Sequence, residues 1–303
     1  MRLEDAEPGK LRDRLSQRGL TLRTGRFTTC IRSSIEPLAN EIINLYGQSE
    51  LVESGYVDFN VELNPSSGLR RYYRPQVNFS FNGLQPFAPL PVDQCLPLME
   101  WGLNWCVSTH FHQCLIIHAA VVEKYGKSLV LPGQPGSGKS TLCAALVTQG
   151  GFRLLSDELT LIDPDTGRIL PNPRPVSLKN RSIDIVKEIN PSGYFSSVVS
   201  DTIKGTVCLM APPEGSYTQF RTCAEPGLVI FPTFDQSFTS FELEAVTKGR
   251  TFLELANQSF NYSILGETGF KAIGKHLDFA EGYNFRYDGN LEQAVAVIDE
   301  FMQ

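Results

Sequence analysis

Residues 133–141 read Gly133-Gln134-Pro135-Gly136-Ser137-Gly138-Lys139-Ser140-Thr141, the G-x-x-x-x-G-K-[ST] spacing of a phosphate-binding loop. Glycine permits backbone angles that a Cβ forbids, so successive N–H groups turn inward and cradle an anion. On this reading Gly133, Gly136, Ser137, Gly138, Lys139, Ser140 and Thr141 bind the phosphates of a nucleotide. Lys139 supplies a point charge to the outer phosphates, and Ser140 offers its hydroxyl to Mg²⁺. The flanks agree. The apolar run 128–131 predicts a strand before the loop, and 141–147 predicts a helix whose N-terminus faces the phosphates.

Working outward, residues 115–122 form an apolar run that contains His118, and five polar or glycine residues at 123–127 separate it from the loop strand. So short a connection predicts an antiparallel hairpin, because a parallel crossover needs a dozen residues or more. Doubly wound nucleotide-binding folds feed the loop from a parallel sheet, so the hairpin narrows the subtype. Beyond the helix, 149–151 supply a C-cap. Residues 153–162 then read as one strand with Asp157 and Glu158 at its centre, followed by a turn at 163–167 and a returning strand at 168–170. Adjacent buried acids are costly without a cation, and Mg²⁺ held at Ser140 would supply one. Strand neighbours point to opposite faces. One acid is therefore free to hold metal while the other takes a proton from an attacking hydroxyl.

Residues 1–94 read as an α+β accessory unit. A strand at 20–24, a helix from a Ser33-Ser34-Ile35-Glu36 capping box to about Tyr46, and alternating strands at 57–63 and 77–81 lead to the Asn82-Gly83 turn. From Gln94 a helix places Leu96, Met99, Leu103 and Val107 on one face, with Trp101 and Trp105 packed into the core. His110-Phe111-His112 is its wet end. Further on, 228–232 reads as a buried strand ended by Pro232, 247–256 as a helix, and Asn290 as the N-cap of a terminal helix. Asn261 is assigned a structural role.

The 303 residues are 42% hydrophobic and 20% charged, enough for a sizeable core. A net charge of −6 gives no reason to expect broad nucleic-acid binding. The charged N-terminus lacks an apolar signal core, and no apolar run approaches the ~20 residues that span a bilayer. The chain therefore reads as soluble and cytoplasmic, with no membrane partner. Seven scattered cysteines without a C-x-x-C pair predict buried free thiols.

The order His118-Ala119-Ala120, then the loop, then Ser156-Asp157-Glu158 resembles the kinase core of HPr kinase/phosphorylase, and also the ATP site of phosphoenolpyruvate carboxykinase, which shares the fold. Other segments look like the bacterial group called HPr-kinase-related kinase A. These are Glu100-Trp101-Gly102-Leu103-Asn104-Trp105, residues 154–160 and 174–180, Asp201-Thr202-Ile203-Lys204-Gly205-Thr206, and Ser259-Phe260-Asn261-Tyr262. The resemblance implies an α/β fold: a phosphoenolpyruvate-carboxykinase/HPr-kinase-like P-loop domain with a mixed sheet over 95–303, plus the N-terminal unit. It implies a kinase using ATP and Mg²⁺, with a hydroxyl of a protein, peptide or small molecule as acceptor, and it leaves a homo-oligomer open. Asp157 would be the general base and Glu158 would help Ser140 hold the metal, with Asp157 adjoining it. His118 would stand near the reacting phosphate, and Lys179 or Lys204 would steady the transferring charge. The family's His-Gly, Asp-Asp and Arg-Gly pairs are His118-Ala119, Asp157-Glu158 and Lys179-Asn180 in this chain, which bears on substrate more than on ATP. The unassigned N-terminal unit motivates an alternative: a nucleotide-binding regulatory or assembly module that transfers no group.

Overall fold

The computed structural model describes residues 1–134, 136–238 and 240–303. Pro135, inside the phosphate-loop motif, lies outside the described residues. The chain is α/β with mixed sheets.

The N-terminal layer comprises α1 (Pro8–Gln17), β1 (Leu20–Thr24), β2 (Phe27–Ser33), α2 (Glu36–Leu45), β3 (Glu50–Leu51), β4 (Phe59–Pro65), β5 (Gln76–Phe81) and β6 (Leu90–Pro91). Its strands run in the order β3-β1-β2-β4-β5-β6. Period-two alternation buries Phe59, Val61 and Leu63 of β4 and Val77, Phe79 and Phe81 of β5 on one face. The expected capping box before α2 does not form. Ser33 closes β2, and its hydroxyl donates to Leu63 O of β4 at 2.8 Å while accepting from Ile35 N–H at 3.1 Å. The N-cap is Ile35.

Helix α3 (Cys95–His110) covers this sheet, and its Leu96, Met99, Leu103 and Val107 join the same core. Trp105 packs edge-on against Phe81 and Phe87. Trp101 departs from expectation. It neighbours Asn104 on the helix surface, lines a small polar cavity and carries Lys204 over its ring. His110 is exposed at the helix end, as expected.

The second layer holds β7 (Leu115–Ile117), β8 (Ala119–Lys124), β9 (Lys127–Pro132), α4 (Lys139–Thr148), β10 (Arg153–Ser156), β11 (Thr160–Ile162), β12 (Ile169–Leu170), β13 (Val176–Lys179), α5 (Arg181–Ile189), β14 (Val199–Thr202), β15 (Gly205–Met210), α6 (Glu214–Thr218), β16 (Glu225–Phe234), β17 (Glu242–Val246), α7 (Lys248–Asn257), α8 (Tyr262–Leu265), α9 (Glu267–Phe279), β18 (Glu281–Tyr287) and α10 (Leu291–Met302). Its main sheet has the order β10-β8-β9-β16-β18-β17. The β8–β9 pair is the expected antiparallel hairpin, whereas β9 pairs with β16 in parallel. Alternate residues of β8 enter different cores. Ala120 and Val122 meet α4 and α10, and Ala119 and Val121 meet α7 and α9. Burial on both faces explains the unbroken apolar run.

Two expected strands are each broken. Residues 153–162 divide into β10, paired with β8 in the main sheet, and β11, paired with β7 in a separate sheet. The run 115–122 breaks at His118 for the same reason, since β7 and β8 belong to different sheets. Asp157 and Glu158 therefore occupy a bend where the chain changes sheets, and strand alternation does not govern them. Strand β16 also runs on through Pro232. That residue lies past the last registered pair with β9, Val229↔Val130, so its missing N–H takes nothing from that ladder. Cys95, Cys106, Cys114, Cys143 and Cys208 are buried thiols, Cys30 is half-buried and Cys223 exposed. Among the described residues no helix is long and apolar enough to cross a membrane.

Candidate active site

The phosphate loop leaves the end of β9 and enters α4 through Gly138, which caps the helix with φ 88°. A Cβ there would strike the Tyr287 hydroxyl. Gly136 also takes a left-handed φ of 89°. Both angles disfavour any residue with a side chain. Lys139 begins α4, is buried, and donates from Nζ to Gly133 O at 2.7 Å. Burial lowers its pKa, opposed by Asp157 and Glu158.

The break between β7 and β8 brings His118 to this lysine, with Nε2 3.4 Å from Lys139 Nζ. The His118 main-chain N–H donates to Gln258 O at 2.8 Å, and Phe260 meets the ring edge-on. Burial, then the Lys139 charge, holds the imidazole below its ordinary pKa. Asn261 is fully buried and ties the start of β7 in place, accepting from Ile116 N–H and donating to Cys114 O, both at 2.9 Å. Its role is structural, as expected.

The bend after β10 presents the two acids differently. Asp157 is buried, and its Oδ2 accepts from Ser177 N–H at 2.9 Å. Its Oδ1 has no partner among the described residues. Burial and the neighbouring Glu158 charge push its carboxyl up to about 6, while the Ser177 N–H and the Ser140 hydroxyl pull it down. Glu158 faces the cavity. Its Oε1 lies 3.8 Å from Lys179 Nζ and 3.9 Å from Lys204 Nζ, and its Oε2 accepts from the Asn104 amide. Burial pushes this carboxyl up, but Lys204, Lys179 and His118 outweigh it and hold it below the usual range.

These groups edge a cavity of about 500 Å³. Gly136, Gly138, Lys139, Ser140, Thr141, His118, Glu158 and Lys179 line it together with the apolar Ile185, Phe234, Tyr287 and Leu291, of which Phe234 and Tyr287 pack against Gly138. Gly133 holds Lys139 from behind, and Ser137 Oγ is buried without a partner among the described residues. Asp157 stands in the wall of a second cavity of about 20 Å³ behind Glu158. Lys204 reaches Glu158 from the β14–β15 turn. The structure thus brings together the residues singled out from sequence. Sequence reasoning missed Ser177, Asn104, Arg174, Phe234 and Tyr287. Asn104 and Arg174 lie in segments that carry the family resemblance, but Tyr287 has no local signal tying it to a loop so far away in the chain.

No family model matches the chain, and no curated protein matches it.

The donor set suits a magnesium nucleotide. Left-handed glycines and a helix N-terminus offer N–H groups to phosphate, Lys139 offers charge, and the orphaned Asp157 Oδ1 beside Ser140 offers oxygen to a hard cation. The cavity's volume falls within the range of small-molecule sites.

Proposed function

We propose that the chain is a Mg-ATP-dependent kinase of the HPr-kinase-like, phosphoenolpyruvate-carboxykinase-type P-loop fold, transferring the γ-phosphoryl group to a hydroxyl acceptor. One observation carries this reading: the buried Asp157 carboxylate, its Oδ1 unpartnered among the described residues, stands beside the loop's own serine, and His118, Lys179 and Glu158 line the adjoining cavity. Bound Mg²⁺, held by Ser140 with Glu158 and Asp157, would neutralise charge on the phosphates. Lys139 exchanges its bond to Gly133 O for the outer phosphates. Lys179 and Lys204, already paired to Glu158, stand ready to balance equatorial charge as it spreads in the loose transition state. Asp157 accepts the proton of the attacking hydroxyl as its oxygen bonds to the γ-phosphorus, and the bond from that phosphorus to the β–γ bridging oxygen breaks, releasing ADP. A carboxyl at about 6 is mostly ionised at neutral pH yet basic enough to accept that proton. His118, kept neutral, adds no competing charge beside Lys139.

Titration with fluorescent ATP and mass spectrometry of products from candidate acceptors test this. Lys139→Ala is expected to weaken ATP binding at least tenfold, and unchanged affinity would sink any nucleotide role. Tight binding without transfer to any acceptor, together with partner recruitment that survives Asp157→Asn, would instead favour the regulatory module.

A further inference from the structure

Asn104 lies four residues after Glu100 and three after Trp101 on α3, so it neighbours both on the helix surface. Glu100 borders the apolar stripe, four residues after Leu96 and three before Leu103, and Asn104 reaches from there toward the acids. Arg174, in the segment leading into β13, meets Glu100 and Asn104. Its Nη1 donates to Asn104 Oδ1 at 2.7 Å, and its Nη2 donates to Glu100 O at 3.0 Å and to the Glu100 carboxylate. The other Glu100 oxygen accepts from the Tyr46 hydroxyl, at the end of α2. Tyr46, Glu100 and Arg174 are all buried, at 1%, 5% and 7% exposure. Burying a cation is costly unless its charge and hydrogen bonds are met. Here Glu100 and Asn104 of α3 meet most of that cost, and Tyr46 of the N-terminal layer holds Glu100. Asn104 completes the chain by donating its amide to Glu158 Oε2.

We infer that Asn104, oriented by Arg174 and through it by Glu100 and Tyr46, is a positioning residue for Glu158, so that the N-terminal layer reaches the reaction centre through Tyr46. The geometry leaves the amide little choice. Its oxygen is taken by the Arg174 guanidinium, so its NH₂ must face the carboxylate. Glu158 is thereby held with its other oxygen toward Lys179 and Lys204, and those ammonium groups are kept at the cavity rather than in solvent. Arg174 also approaches Asp157. The cavity of about 20 Å³ is lined by Asp157, Asn172, Arg174 and Ser177. Asp157 Oδ1, Asn172 Oδ1, Arg174 Nε and Ser177 Oγ have no partners among the described residues.

The catalytic part of this role rests on the kinase reading, but the positioning has a readout of its own. The chain has four histidines, and the Glu158 charge acts on the His118 ring. In protein labelled with ¹³C-histidine, Asn104→Leu is expected to move the His118 ring resonance and leave His276, in the far core, in place. With fluorescent ATP and a slow-hydrolysis assay, the same variant should bind nucleotide within threefold of wild type and turn over at least tenfold more slowly. Tyr46→Phe should move His118 in the same direction by less. An Asn104→Leu protein with unmoved His118 and His276 resonances overturns the inference. If Asn104→Leu fails to fold, Asn104→Ser at this half-buried position replaces it under the same criteria. Wild-type protein that binds no fluorescent ATP would defeat the kinase reading, while the His118 resonance still decides the positioning role.

Discussion

Asp157 shows how far a single residue departs from its ordinary chemistry. Its pKa rises from 3.8 to about 6, chiefly through burial. A raised carboxylate binds its proton more tightly folded than unfolded. Its contribution therefore favours folding below about pH 4 relative to neutral pH, declines as pH rises from there to about 6, and leaves the folded state penalised above that. The penalty at pH 7 is on the order of 3 kcal/mol. Asp157→Asn is accordingly expected to raise the unfolding midpoint at pH 7 while reducing phosphoryl transfer at least a hundredfold. A variant less stable than wild type at pH 7, measured by urea unfolding, would contradict the ionised, desolvated carboxylate described above. Gly138 is the second such residue. Gly138→Ala combines a left-handed backbone, worth roughly 1–2 kcal/mol, with a collision against Tyr287. Weakened ATP binding and a lower melting temperature should appear together in calorimetry. The motif residues were legible in the sequence because their spacing is local. Ser177 and Asn104 were not, because they reach the acids from other elements.

At the scale of elements, broken strands matter more than formed ones. Continuous apolar patterning at 115–122 and 153–162 read as two strands, and apolar runs buried on both faces give no internal signal of a change of sheet. Only the pairing of β7 with β11 and of β8 with β10 shows the break that delivers His118 and the acids to the start of α4. Helix α9 makes a separate case. His276 is fully buried there, with Nδ1 2.8 Å from Gly167 O in the turn between β11 and β12. Burial lowers its pKa from 6.5 to about 4. The imidazole is thus neutral when folded and charges more readily when unfolded. Its contribution is complete above pH 6.5 and is lost as pH falls toward 4. The loss amounts to roughly 3 kcal/mol. His276→Gln should flatten the fall in stability between pH 6.5 and 4, measured by denaturant midpoints across that range. An unchanged slope would assign the acid sensitivity to other groups.

For the molecule as a whole, the two layers share a core. Leu38 and Val61 of the first cluster with Leu98 and Met99 of α3, and with Ile116, Leu161 and Tyr217 of the second. A fragment of residues 95–303 would expose that surface and strip Glu100 of Tyr46. It is therefore expected to aggregate or lack a cooperative unfolding transition, as circular dichroism and size-exclusion chromatography would show; a folded, ATP-binding fragment would refute this. Sequence by itself determined the glycine-rich loop motif, its hairpin and helix, the candidate acids and the α/β class, because each rests on spacing within a short stretch or on local periodicity. Tertiary structure decided what those residues face. It moved the acids from a strand to a bend, put Asp157 beside Ser140 in a buried wall, and ran Tyr46, Glu100, Arg174 and Asn104 together behind Glu158. Those contacts join residues up to 74 positions apart, and no local pattern encodes which distant polar group a buried charge will find.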